Sequence, residues 1–220
     1  MVDLPGISDD AFEASDDDES RGDGPGSSIN LKKVAIVCGA LAGVALLGSA
    51  VVYGPTVVRV TQQSDTTVST PPQIGSFTLF STEDATQTAE YVRDAVVTQV
   101  SLDKSVGAIY RDQNGPSEVR TVILVAGTGR IWKPERALDG AFKAVAGPDP
   151  GDAGVRNVHD VDAGELGGLA RCGEIVDKDG SMSVCGWADN GSLGVALFPG
   201  RQMADAEKAL LQLRPAVEKR

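Results

Sequence analysis

His159 is the one histidine in this 220-residue chain, and Asp160, Asp162 and Glu165 follow it closely. An imidazole among carboxylates could ligate a metal or act as a general base. Zinc usually takes several His or Cys ligands, and these acids lack the spacing of a calcium loop. The residue therefore reads as an exposed histidine at a strand end. A Ser-His-Asp triad would have to use it, and no serine stands in a G-x-S-x-G elbow. Gly127-Thr128-Gly129 follows an apolar run, as a phosphate-binding turn would. It lacks the third glycine of a dinucleotide fingerprint and the Gly-Lys-Ser/Thr of a P-loop, so a plain strand-to-helix loop is expected. Glu165, Glu174 and Asp189 remain as free acids for an acid–base pair, at no spacing that identifies one. The expectation is a protein that is not an enzyme and carries no cofactor and no metal.

Cys172 and Cys185 bracket the turn Asp177-Lys178-Asp179-Gly180. If Lys178-Asp179 is the centre of a two-residue turn, residues whose numbers add to 357 lie opposite each other, and the two cysteines satisfy that condition. Directly opposed cysteines can form a disulfide. Closing a loop of this size would contribute about 3 kcal/mol in the chain-entropy account. A bulge at Gly180 would displace the pairing by one, and two reduced buried thiols are the alternative. The next hairpin turns at Asn190-Gly191, which sets Trp187 opposite Gly194 and Cys185 opposite Ala196. Trp187 over Gly194 beside the cysteines reads as a packing cluster.

These residues need a scaffold, and residues 75–220 are long enough to build one hydrophobic core. A short strand is expected from Gly75 to Phe80. Ser81 or Thr82 then caps a helix with Glu83 and Asp84 in its first turn, where acids complement the dipole. Ala85, Ala89, Val92, Val96 and Val100 form its apolar stripe. Val106–Arg111 and Glu118–Ala126 read as strands around Asn114-Gly115-Pro116. The run VILVA at 122–126 suggests a central strand covered on both faces. Pro134 suits the first turn of a second helix with Leu138, Phe142 and Val145 facing inward. Strands are expected over 155–161, 169–176, 182–188 and 193–198. A last helix runs over 202–218, and Pro215 should kink it or end it early. The fold class is α+β: an antiparallel sheet with helices packed mainly on one face, its first part ferredoxin-like in element order.

Ahead of this domain, Val34–Tyr53 holds twenty uncharged residues, enough to cross a bilayer core of about 30 Å as a helix. Lys32 and Lys33 precede it, Gly54-Pro55 follows, and Tyr53 sits at the boundary, so Lys32, Lys33 and Tyr53 read as membrane anchors. Cleavage after Ala50 is the competing reading, but the apolar run is longer than a signal core and about thirty residues precede it. Gly39 and Gly43 form a GxxxG that would allow a homodimer through the span. Nine acidic residues against Arg21 alone in residues 1–30 make an acidic tail, expected to be disordered. The net charge of −11 argues against nucleic acid as a partner. The organisation read is a cytoplasmic tail (1–31), a transmembrane signal anchor (32–54), a Ser/Thr/Pro-rich stem (55–74) and an extracytoplasmic domain (75–220). Lysines on the N-terminal flank set the orientation.

GGLARC at 167–172, CGWADNGSLGVALF at 185–198 and the closing LRPAVEKR at 213–220 resemble uncharacterised membrane-anchored proteins common in actinobacteria. Those have a similar layout, with VAGTG-like and C-x-WAD-like segments in the outer domain. The resemblance covers roughly residues 75–220 and implies location and architecture, with no catalytic residue. The expected function is a single-pass membrane protein presenting a domain for binding or sensing, with the lipid bilayer and a protein as partners. The alternatives are a cell-envelope enzyme, and a structural or assembly partner acting through the span.

Overall fold

The computed structural model describes Gln63 and residues 65–116, 121–147, 154–177 and 180–220. The acidic tail, Lys32, Lys33, the span expected over 34–53 and its GxxxG lie outside the described residues. Among the described residues, no helix is long and apolar enough to cross a membrane.

Among the described residues, ten strands and three helices follow in chain order: β1 (Thr67–Val68), β2 (Gln73–Ile74), β3 (Phe77–Leu79), α1 (Glu83–Gln99), β4 (Lys104–Asp112), β5 (Thr121–Thr128), α2 (Pro134–Val145), β6 (Arg156–Asp160), β7 (Leu169–Asp177), β8 (Gly180–Ala188), β9 (Ser192–Pro199), α3 (Met203–Val217) and β10 (Glu218–Lys219). Eight strands form one antiparallel sheet in the order β2-β3-β4-β5-β9-β8-β7-β6. The class is α+β, as expected. The element order β3-α1-β4-β5-α2 is the expected ferredoxin-like one, but the topology is not, because β3 and β4 flank α1 and pair antiparallel, whereas two strands joined by a helical crossover in that fold run parallel.

The strand period of two divides the core. Val122, Leu124 and Ala126 of β5, with Cys185 and Trp187 of β8, share one cluster with Leu210, Leu213 and Val217 of α3. Val125 of β5 and Val184 of β8 share another with Val96 of α1 and Leu138 and Phe142 of α2. VILVA is therefore covered on both sides. Two helices pack on one face as anticipated, but α3 takes the opposite face, where the large side chains Trp187 and Tyr110 need covering.

Local signals account for the helix ends. Thr82 caps α1 by accepting from the Ala85 N–H at 3.4 Å, and Pro134 opens α2 at its first turn. Gly107 lets α1 approach β4, since a Cβ there would lie 2.5 Å from the Ala89 carbonyl oxygen. Pro215 lies inside α3, which runs on to Val217. In the last turn the missing N–H forfeits a single helical bond, so the proline neither breaks nor shortens the helix.

The stretch expected as a free stem is part of the folded unit from Thr66 onward. Thr67 and Val68 pair with Lys219 and Glu218, the Tyr110 hydroxyl donates to the Pro71 carbonyl at 2.9 Å, and Ile74 is buried. Burial pushes the Tyr110 phenol up to about 12.

Candidate functional site

At the end of the sheet where β8 turns into β9, chain direction reverses over Asp189–Ser192. Asp189 Oδ1 accepts from the backbone N–H groups of Gly191 and Ser192, each at 2.8 Å. Its Oδ2 accepts from the Ser192 hydroxyl (3.1 Å), from Arg214 Nη2 (2.9 Å) and from Arg220 Nη2. Ser192 Oγ also accepts from Trp187 Nε1 at 3.3 Å. Arg214 spends its remaining donors on Glu218 Oε2 (3.0 Å) and on the carbonyls of Ala163 (2.9 Å) and Gly167 (2.7 Å). Arg220 Nε donates to Glu218 Oε1 at 3.0 Å. Asp189, Arg214 and Glu218 are buried, with side-chain exposures of 3, 3 and 0 %. Two carboxylates and two guanidiniums thus balance within one cluster. Such a cluster holds only while every member keeps its partners.

Asp189 was expected as a free acid and is not one. Glu174 accepts from Asn157 Nδ2 at 2.8 Å on the exposed edge of the sheet. Glu165 lines a small cavity of about 240 Å³ between the 162–166 loop and α3. His159 lies in exposed β6, with Nδ1 3.0 Å from the Asn157 carbonyl oxygen and Nε2 3.0 Å from Glu207 Oε1. The Asn157 carbonyl, then the Glu207 carboxylate, pull its proton affinity above the usual imidazole range. The histidine is a tie between β6 and α3.

Cys172 and Cys185 are directly opposite and joined, with Sγ atoms 2.03 Å apart and both residues fully buried. The register follows from a turn without a bulge, Asp177 pairing Gly180. Trp187 faces Gly194, and a Cβ on Gly194 would lie 2.2 Å from Trp187 Cη2. The ring therefore occupies the space that glycine leaves open. Gly127 and Thr128 belong to β5, and the Gly129 N–H donates to the Gly191 carbonyl at 3.1 Å. VAGTG thus pairs with the Ser192–Val195 stretch of β9, which separates it from Trp187 and Ala188 on β8.

Beside the turn opens a cleft of about 570 Å³. Its floor is Ala188, Asp189 and Asn190, and its rim carries Lys133, Glu135 and Arg136 from the start of α2 and Gln63 from the incoming chain. Asn190 fixes the floor: its Nδ2 donates to the Ile131 carbonyl at 2.8 Å, and its N–H donates to Gln63 Oε1 at 2.8 Å. Lys133 and Arg136 form no ion pair among the described residues. Among the described residues, no group of three or more His, Cys, Asp or Glu could hold a metal.

The cluster and the cleft were not anticipated. Arg214 and Glu218 stand at an ion-pair spacing on a helix, but nothing in that spacing says the pair is buried. Three bases and a tryptophan within Arg130–Arg136 were a visible signal for the cleft. Ser101 and Lys104 also have S-x-x-K spacing, but both are exposed, Ser101 in the link before β4 and Lys104 at its first position, and they share no helical turn. Comparison of the chain with protein-family models, with curated proteins and with solved structures found no match.

Proposed function

We propose that the chain is a single-pass membrane protein whose extracytoplasmic α+β domain binds or senses a ligand bearing an anionic group, and that the cleft beside Asp189–Asn190 is where it binds. The observation that carries this reading is a cleft of about 570 Å³ with a fixed floor and two bases, Lys133 and Arg136, that outnumber Glu135 on its rim and form no ion pair among the described residues. Ligand pockets have this size, and a lining in which polar and charged side chains are the majority suits a polar ligand. Asp189 reaches the floor, but Arg214 and Arg220 neutralise it. Binding rather than catalysis is favoured because that acid is consumed by its partners and His159 is not part of the cleft. The twenty-residue apolar run at 34–53 supports the anchor, and a buried disulfide suits an oxidising compartment. We also propose that the chain belongs with the actinobacterial anchored proteins it resembles, since the three segments that carry the likeness meet around this one turn.

The test is calorimetric titration of the detergent-solubilised full chain with inorganic phosphate and small carboxylates. Binding is expected, and Lys133→Gln with Arg136→Gln should weaken it at least tenfold. Absence of heat with every anion, or equal binding by the double variant, would reject the reading.

A further inference from the structure

The same end of the domain carries a feature that a small soluble anion does not use. Trp132 is 58 % exposed, whereas the other tryptophan, Trp187, is fully buried. Exposed Arg130, Lys133 and Arg136 surround it in sequence, with Glu135 the one acid among them. A tryptophan ring is apolar with one N–H donor and settles at membrane–water interfaces. Lysine and arginine are drawn to anionic headgroups, each contributing about fivefold to partition.

Where the chain comes from sets the partner. Gln63 is bonded to Asn190, and Asn190 to Ile131, next to Trp132. Gln63 follows Tyr53 by ten positions, at most about 35 Å when fully extended. Covalent length thus limits how far this end of the domain can move from the bilayer that would hold the proposed span. Charge selects it further: from residue 61 onward 22 acidic residues outnumber 16 Lys and Arg, so an anionic surface repels the domain as a whole and attracts this strip.

Resting on the proposed anchor and anion cleft, we infer that the Arg130–Arg136 end docks on the anionic phospholipid surface of its own membrane. A lipid headgroup phosphate enters the cleft between Lys133 and Arg136, and Trp132 lies at the interface. The ligand of the proposed cleft is then a membrane lipid, and the domain reports on headgroup composition.

The experiment reconstitutes the full chain in vesicles of brominated phosphatidylcholine, with or without brominated phosphatidylglycerol, and measures tryptophan quenching. Quenching is expected in the anionic vesicles and near absence of it in the zwitterionic ones. Trp132→Phe should abolish it, because the remaining Trp187 is buried. Lys133→Gln with Arg136→Gln should lower the ratio of docked to undocked domains roughly 30-fold. Equal quenching in both lipids, or none in either, overturns the inference. Phosphate titration of the solubilised chain separates the two readings. Binding that depends on Lys133 and Arg136 without quenching leaves the cleft and removes the membrane; no binding and no quenching removes both. Release of the chain from membranes by alkaline carbonate also overturns the inference, because the distance limit goes with the anchor.

Discussion

Replacing Arg214 by methionine should destabilise the domain by about 4 kcal/mol. The substitution keeps most of the side-chain volume, so little cavity is added. What changes is pairing. Glu218, 1 % exposed, loses one of its two guanidinium partners, and Asp189 keeps Arg220 and the turn's own donors. The carbonyls of Ala163 and Gly167 lose their donor altogether. Breaking a buried ion pair by removing one partner costs about 3–5 kcal/mol, a large share of the roughly 5–15 kcal/mol that stabilises a domain. At about 2–4 °C per kcal/mol for a domain of this size, the midpoint should fall by about 8–16 °C. Thermal unfolding of the full chain in detergent, followed by near-ultraviolet circular dichroism, reads it directly. Trp187 is a local reporter, with the Arg214 guanidinium 5.7 Å from its ring. Adding Glu218→Gln should restore part of the loss by removing the carboxylate charge that is then in excess, since Arg220 alone faces both Asp189 and Glu218. A single variant that melts within about 3 °C of the parent, or a double variant that is worse by the full sum of both losses, would refute the account.

Three further outcomes follow from the geometry. Replacing Cys172 and Cys185 together by alanine should cost about 3 kcal/mol for a loop closed over 13 residues, measured by urea unfolding. The native bond should resist reductant until the protein opens, since both cysteines are fully buried. Gly194→Ala should cost about 3 kcal/mol or more, because the new methyl meets the Trp187 ring at 2.2 Å inside the core; unchanged stability would show that the ring can move. His159 should titrate above 6.5 by NMR, and Glu207→Gln should lower its midpoint only in part, because the Asn157 carbonyl is the larger cause. With the folded value raised, the tie is complete below the unfolded midpoint and fades as pH rises through the folded one. At this exposure its contribution to stability stays below about 1 kcal/mol.

What the sequence makes legible, and what it hides, follows from whether a contact leaves a local trace. The cysteine register is legible because a two-residue turn without a bulge fixes every pair in β7 and β8, from Asp177–Gly180 to Leu169–Ala188. Burial of VILVA on two faces is legible because a strand with polar residues on neither side must be covered on both. The side taken by α3 is not legible: Ala206, Leu210 and Leu213 say that one face of the helix is buried, not which face of the sheet buries it. The docking of residues 66–74 is hidden for a different reason. Much of it is backbone pairing with Glu218 and Lys219, and backbone bonds have no side-chain signature. Asp189, Arg214 and Glu218 are hidden because charged residues read as solvated, and a charge is buried only where the fold brings a partner to it.

The balance of that cluster bears on the cleft as much as on stability. Asp189 lines the floor where an anion would sit, so its charge opposes binding unless Arg214 and Arg220 cancel it. On the proposed reading, Lys133 and Arg136 set the cleft's attraction for anions only while the buried pairs are intact. Arg214→Met leaves a net negative charge under the floor and should weaken phosphate binding on the order of tenfold, measured well below the melting midpoint so that only folded protein is read. Glu218→Gln leaves a net positive charge and should strengthen it, although it too removes ion pairs. A purely structural role predicts the same sign for both variants, because each loosens the same floor. Opposite signs would establish that the cluster sets the field of the cleft, and equal losses would reduce it to a scaffold.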